Sequence, residues 1–166
     1  RVPESSAFVR TDDPEGILEL VRHLRDTGRS RFAYVAGPPI ASDRIRRDAI
    51  RAAIETMGLD PDVRVLAPAQ TWEDHLRIVE EVARERPDAL VCYDDRAALT
   101  IMSALRERGL RVPQDIAVTG FDDIPYPGPA GQVEDGGGRL ESLAHPFIVA
   151  EQVGDQHGKR AIGPFR

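Results

Sequence analysis

The sequence predicts an α/β fold: an open parallel sheet with helices on both faces. Three observations carry this. Short β-type runs alternate with amphipathic helical stretches from residue 7 to residue 121. Each stretch between runs is long enough for a helix, which a crossover between parallel strands requires. The run Ala89-Leu90-Val91-Cys92-Tyr93 is apolar without alternation, as in a strand covered on both faces.

The elements follow in order. Ala7-Phe8-Val9 is a short apolar run. Pro14 to Thr27 reads as a helix: Pro14 suits its first turn, and Ile17, Leu20, Val21 and Leu24 make one apolar face. Gly28 follows at the position after the C-cap, where a left-handed backbone suits glycine. Arg31 to Ala36 is a strand, closed by Gly37-Pro38-Pro39. Ser42 is expected to cap a helix with Ile45, Ala49, Ala52, Ala53 and Met57 inside, ended by Gly58. Val63 to Leu66 is a strand, and Thr71-Trp72-Glu73-Asp74 resembles a capping box. The helix it opens should bury Leu76, Val79, Val82 and Ala83 and stop at Arg86-Pro87. After strand 89–93, Asp95 is expected to cap a helix that buries Ala98, Ile101, Met102 and Leu105 and ends at Gly109. Ile116 to Phe121 is the last clear strand.

Glycine usage then changes. Six glycines lie in residues 1–125 and eight in residues 126–166, so a boundary is expected near Pro125. Tyr126-Pro127-Gly128-Pro129 and Gly136-Gly137-Gly138 read as turns or linker. Leu140 to Val149 holds room for one more strand, and residues 150–166 are expected to carry little order. A length of 166 residues suits about one domain, at ~150 residues per domain. Apolar residues at 41% and charged residues at 30% fit a soluble globular protein. No apolar run approaches the ~18 residues of a transmembrane helix, and residues 1–10 lack the core of a signal peptide. A single cysteine, Cys92, fits a reducing compartment and reads as a core thiol. A net charge of −6 argues against direct contact with nucleic acid, which needs a basic footprint.

In open parallel sheets, ligands bind beyond the carboxyl ends of the strands. That rule selects Arg46, one turn into the helix after the first clear strand, and Trp72, Asp94-Asp95 and Asp122-Asp123 after the next three. Carboxylates accept pairs of hydroxyl hydrogen bonds, arginine donates a rigid fork, and an indole covers C–H surface. Together they suit a polyhydroxylated ligand such as a sugar. Each residue also has a structural reading. With Asp95 as the cap, Asp94 is left for a ligand; Asp122 and Asp123 can begin a turn; Arg46 can sit on a solvated face; Trp72 can be a staple. His23, His75, His145 and His157 lack metal-ligand spacing, and no phosphate loop, nucleophile elbow or zinc-protease motif is present. Neither a cofactor nor an enzymatic activity is therefore expected. A phosphorylated receiver domain also gathers carboxylates at strand ends, but it needs a lysine at the last strand, and the one lysine here is Lys159.

Residues 87–125, with Tyr93-Asp94-Asp95, Arg111-Val112-Pro113-Gln114-Asp115-Ile116 and Gly120-Phe121-Asp122-Asp123, closely resemble the ligand-binding core of the LacI/GalR family of bacterial transcription regulators. Asp12-Asp13 with Gly16, His23-Leu24, residues 33–38 and Arg46-Arg47-Asp48 fit as well, and residues 140–147 resemble a weakened form of the family's cross-back strand. The resemblance implies a cytoplasmic sensor of periplasmic-binding-protein type, with a sugar or nucleobase held between two lobes. It places effector contacts on Arg46, Trp72, Asp94 and Asp122, and on Phe147 and His145. Asp94 stands where many members have asparagine, and Ala49-Ile50 stands where the family has a Gly-aromatic pair. The resemblance also implies that residues 1–125 form the C-terminal lobe, with 126–166 a cross-back segment and irregular tail. A homodimer is expected in the intact protein, and DNA contact only through a helix-turn-helix that this sequence does not contain. A stand-alone sugar-binding transport protein is the alternative, and a receiver-like phosphoryl-transfer domain a third reading.

Overall fold

The computed structural model describes residues 12–68 and 71–122 in full, and the backbone of residues 138–143 and 147–152. The expected run at residues 7–9, His145 and the tail beyond 152 lie outside the described residues.

Among the described residues, four helices and six strands follow one another: α1 (Asp13–Asp26), β1 (Phe32–Val35), α2 (Ala41–Thr56), β2 (Arg64–Leu66), α3 (Trp72–Glu85), β3 (Ala89–Cys92), α4 (Asp95–Glu107), β4 (Ala117–Thr119), β5 (Gly138–Leu143) and β6 (Phe147–Gln152). The strand order is β2-β1-β3-β4-β6-β5. The first four strands are mutually parallel; β6 runs antiparallel to β4, and β5 antiparallel to β6. The parallel α/β sheet is as expected, with two antiparallel strands added at one edge. The segment read as room for one strand thus holds two, the second reaching Gln152, past the point where order was expected to fade.

Alternation along the strands builds two cores. Ala33, Val35, Leu90, Cys92 and Val118 face α3 and α4. Phe32, Tyr34, Ala89, Val91 and Ala117 face α1 and α2. Both faces of β1 and β3 are buried, which explains their unbroken apolar runs. Burial pushes the Cys92 thiol well above its ordinary pKa, so it stays protonated in the core.

The helix ends show where local rules held. Asp12 caps α1 by accepting from the Glu15 amide, and Pro14 sits in the first turn. Thr71 and Asp74 form the reciprocal capping box at α3. Arg86 ends α3 with φ of 50°, clear of the right-handed region that Pro87 disfavours for it.

Two expected caps are corrected. Ser42 does not cap α2: Ile40 holds the cap position without a side-chain bond, and Asp43 accepts from the Gly37 amide instead. Asp95 does not cap α4. Asp94 does, because its extended backbone (φ −139°, ψ 171°) lets Oδ1 accept from the Ala97 amide at 2.8 Å. The inner face of α2 is also rotated. Asp43, Arg46, Ile50, Ala53 and Ile54 are buried, while Ala52 is exposed and Ile45, Ala49 and Met57 are only half-buried. Two charged residues on the inward face turn the helix away from the all-apolar stripe. In α3, His75 and Ile78 are buried, Leu76 is half-buried and Ala83 is exposed.

Candidate functional site

Because β1 to β4 are parallel, the segments leaving their carboxyl ends share one rim: residues 36–40, 67–68, 93–94 and 120–122. Strand order reverses between β1 and β3. α2, which follows β1, packs on one face of the sheet; α4, which follows β3, packs on the other. A crevice opens at such a reversal.

Arg46 lies at the centre of this rim and is 6% exposed. Its Nε donates to Asp13 Oδ2 at 3.1 Å, its Nη1 to the Tyr93 carbonyl at 2.6 Å, and its Nη2 to Asp122 Oδ1 at 3.4 Å. The guanidinium also lies over the Phe121 ring, 3.5 Å from its centre, and 4.7 Å from the centre of the Tyr93 ring. Four segments therefore meet on one cation: the first turn of α1, α2, and the loops after β3 and β4. A solvated helix face is excluded for this residue. Asp43, also buried, accepts from Tyr34 Oη at 3.0 Å and from the Gly37 amide at 2.8 Å, and so ties the loop after β1 to the sheet. Burial, then the Asp43 charge, push the Tyr34 phenol above its ordinary pKa.

The two predicted aspartates differ in environment. Asp94 is half-buried, and one of its oxygens is used in the α4 cap. The Asp122 side chain is 47% exposed, and its backbone takes φ of 112°, unusual for a residue with a side chain. Its pKa is raised: partial burial and the negative charges of Asp94 and Asp13 outweigh the lowering by Arg46. The structure thus brings Arg46 and Asp122 into contact, with Asp94 close enough to act on Asp122 electrostatically. Trp72 opens α3 on the same rim, 46% exposed, with its ring tilted 34° to that of His75. Phe147 lies in β6 opposite Leu143.

Sequence reasoning missed Tyr93, Phe121 and Asp13. The signal for the first two was present: an aromatic residue immediately precedes the aspartates at the ends of β3 and β4, in Tyr93-Asp94 and Phe121-Asp122. Nothing in the sequence distinguishes Asp13 from the neighbouring cap, Asp12.

A concavity of about 460 Å³ lies at the opposite end of the sheet among Arg86, Pro87, Leu110, Gln114 and Ile116. Another, about 180 Å³, is walled by the Arg64–Glu81 ion pair. Neither includes Arg46, Trp72, Asp94 or Asp122. Charged side chains converge instead at the carboxyl rim, around Arg46.

Residues 21–131 match the family model described as a periplasmic binding protein-like domain. The chain belongs to this family. Among curated relatives, the arabinose metabolism transcriptional repressor of Geobacillus stearothermophilus is 31% identical over 150 residues, covering 86% of this chain and 39% of the repressor. The lactose operon repressor of Klebsiella pneumoniae is 30% identical over 160 residues, covering 93% of this chain and 40% of that protein. A LacI transcriptional regulator from Rhodococcus superposes with a TM-score of 0.63 at 31% identity, covering 69% of this chain and 44% of that one. The family member thus spans about two-fifths of the length of these curated repressors, and the resemblance to LacI-type regulators holds in both sequence and fold.

Proposed function

We propose that this chain is the effector-sensing lobe of a LacI-type transcriptional regulator, and that its effector is a sugar. The observation that carries the reading is the rim constellation: Arg46 held against Asp122, beside Asp94, at the point where strand order reverses. Asp122 and the second oxygen of Asp94 accept from neighbouring hydroxyls, and Arg46 fixes Asp122 in place. Trp72, Phe147 and His145 are assigned as further contacts. The names of the arabinose and lactose repressors support a sugar over a nucleobase.

Charges converging at the strand ends, outside both concavities, fit a site completed by a second lobe. Effector binding would favour the closed arrangement of two lobes and shift the regulator between DNA-binding states. DNA recognition belongs to a separate domain of the intact regulator, which acts as a cytoplasmic homodimer. The chain itself performs no catalysis. Saturation-transfer NMR of the 166-residue chain with arabinose, galactose and lactose tests the reading. Saturation of at least one sugar, abolished by Asp122→Ala, is expected. Signals that survive Asp122→Ala, or no signal from any sugar, would reject it.

A further inference from the structure

Tyr93 occupies the place where an open α/β sheet leaves its crevice. Its amide donates to the Val35 carbonyl at 3.0 Å, across the gap between β3 and β1. Its hydroxyl lies 2.9 Å from Ser42 Oγ, in the first turn of α2. A methyl group added at Gly37 would overlap the Tyr93 ring, so ring and loop backbone are in close contact. Its carbonyl accepts from Arg46, and its ring flanks the guanidinium. The side chain thus spans from the end of β3, past β1, to α2, and fills the crevice at the reversal of strand order. On the other side of β3, Asp94 and Asp122 follow the ends of the adjacent parallel strands β3 and β4.

We infer that Tyr93 is the size-determining residue of the effector site: it plugs the β1–β3 crevice and, by taking that space from the ligand, favours a single sugar ring over a disaccharide at the strand ends. This rests on the proposed function, and deepens it by naming the ligand class. Glycine at residue 37 is the counterpart of the plug, since the Tyr93 ring needs the space that a side chain would take.

The test compares the 166-residue chain with its Tyr93→Ala and Tyr93→Phe variants. Dissociation constants for arabinose, galactose and the disaccharide lactose are read by titration NMR. The unaltered chain and Tyr93→Phe should favour one of the monosaccharides over lactose by about tenfold or more, and Tyr93→Ala should remove that preference by strengthening lactose binding. A ligand-free arm checks the plug. Gly37→Ala should lower the denaturation midpoint of the unaltered chain and leave that of Tyr93→Ala little changed. An unaltered sugar preference in a folded Tyr93→Ala variant overturns the inference alone. Equal Gly37→Ala effects in both backgrounds overturn the plug. Absence of sugar binding in every variant overturns the proposed function, and this inference with it.

Discussion

Arg46, which we propose belongs to the effector site, also holds the fold together. Its side chain and that of Asp13 are each about 8% exposed, so the pair is desolvated on both sides. Removing one partner strands the other charge, a loss of about 3–5 kcal/mol for buried pairs. Arg46→Met should therefore lower unfolding free energy by about that amount in urea titrations, and Asp13→Leu in the same chain should recover part of it. Asp122 gives a pH signature of opposite kind to a salt-bridged carboxylate. Its pKa is raised in the folded chain, so its contribution to stability is present below the ordinary carboxylate pKa and is lost as pH rises through the raised value. Unfolding free energy of the unaltered chain minus that of Asp122→Asn should fall between pH 3.5 and pH 7, as read by urea denaturation at each pH. These roles were only partly legible. Aspartates at strand ends announce themselves by position, but the aromatic clamp from Tyr93 and Phe121 hid inside apolar strands, where such residues are read as core.

Among the elements, α2 marks the limit of pattern reading. Amphipathic analysis turns charges outward, so a face drawn through Ile45, Ala49, Ala52, Ala53 and Met57 leaves out the buried Asp43 and Arg46 and comes out rotated. Where the buried charge sits only at the first residue of a helix, the apolar face was read correctly: α1 buries Ile17, Leu20, Val21 and Leu24, and α4 buries Ala98, Ile101, Met102 and Leu105. The α3 capping box was legible for a local reason, since Thr71 and Asp74 lie three residues apart and bond to each other through backbone and side chain. Thr71→Ala should cost about 1 kcal/mol in chemical denaturation. The choice between Asp94 and Asp95 was not legible, because either can cap, and a contact distant in sequence settles it: the Asp95 amide donates to the Phe121 carbonyl, and a methyl on Gly120 would overlap its side chain. Before β4, Arg111 donates three times to Asp115, from its amide, Nε and Nη2, and holds its pKa down at about 2. That contribution is present above the ordinary carboxylate pKa and is lost as pH falls towards about 2. The stability difference between the unaltered chain and Asp115→Asn should accordingly shrink from pH 5 to pH 2.

At the scale of the molecule, two cores share the same strands, so neither can loosen without exposing the other. Leu90 and Val91 are neighbours in sequence on opposite faces of β3, and both are fully buried. Unfolding should be one cooperative event: fluorescence of the single tryptophan, Trp72, and far-UV circular dichroism should report the same midpoint. Separate midpoints would show two independently melting layers. The parallel half of the sheet was legible because crossover length and apolar runs agree. The antiparallel edge was not, since Gly136-Gly137-Gly138 leads directly into β5 and masks it. The many attachments of Arg46 have a consequence for genetics. In a library of random variants, changes at Arg46 will register as missing protein, because the four segments it joins lose their common anchor. Changes at exposed Trp72 will leave abundance intact and register as altered response. Scoring soluble level alongside response separates the two classes, and response alone would credit Arg46 with a purely sensory role it does not have.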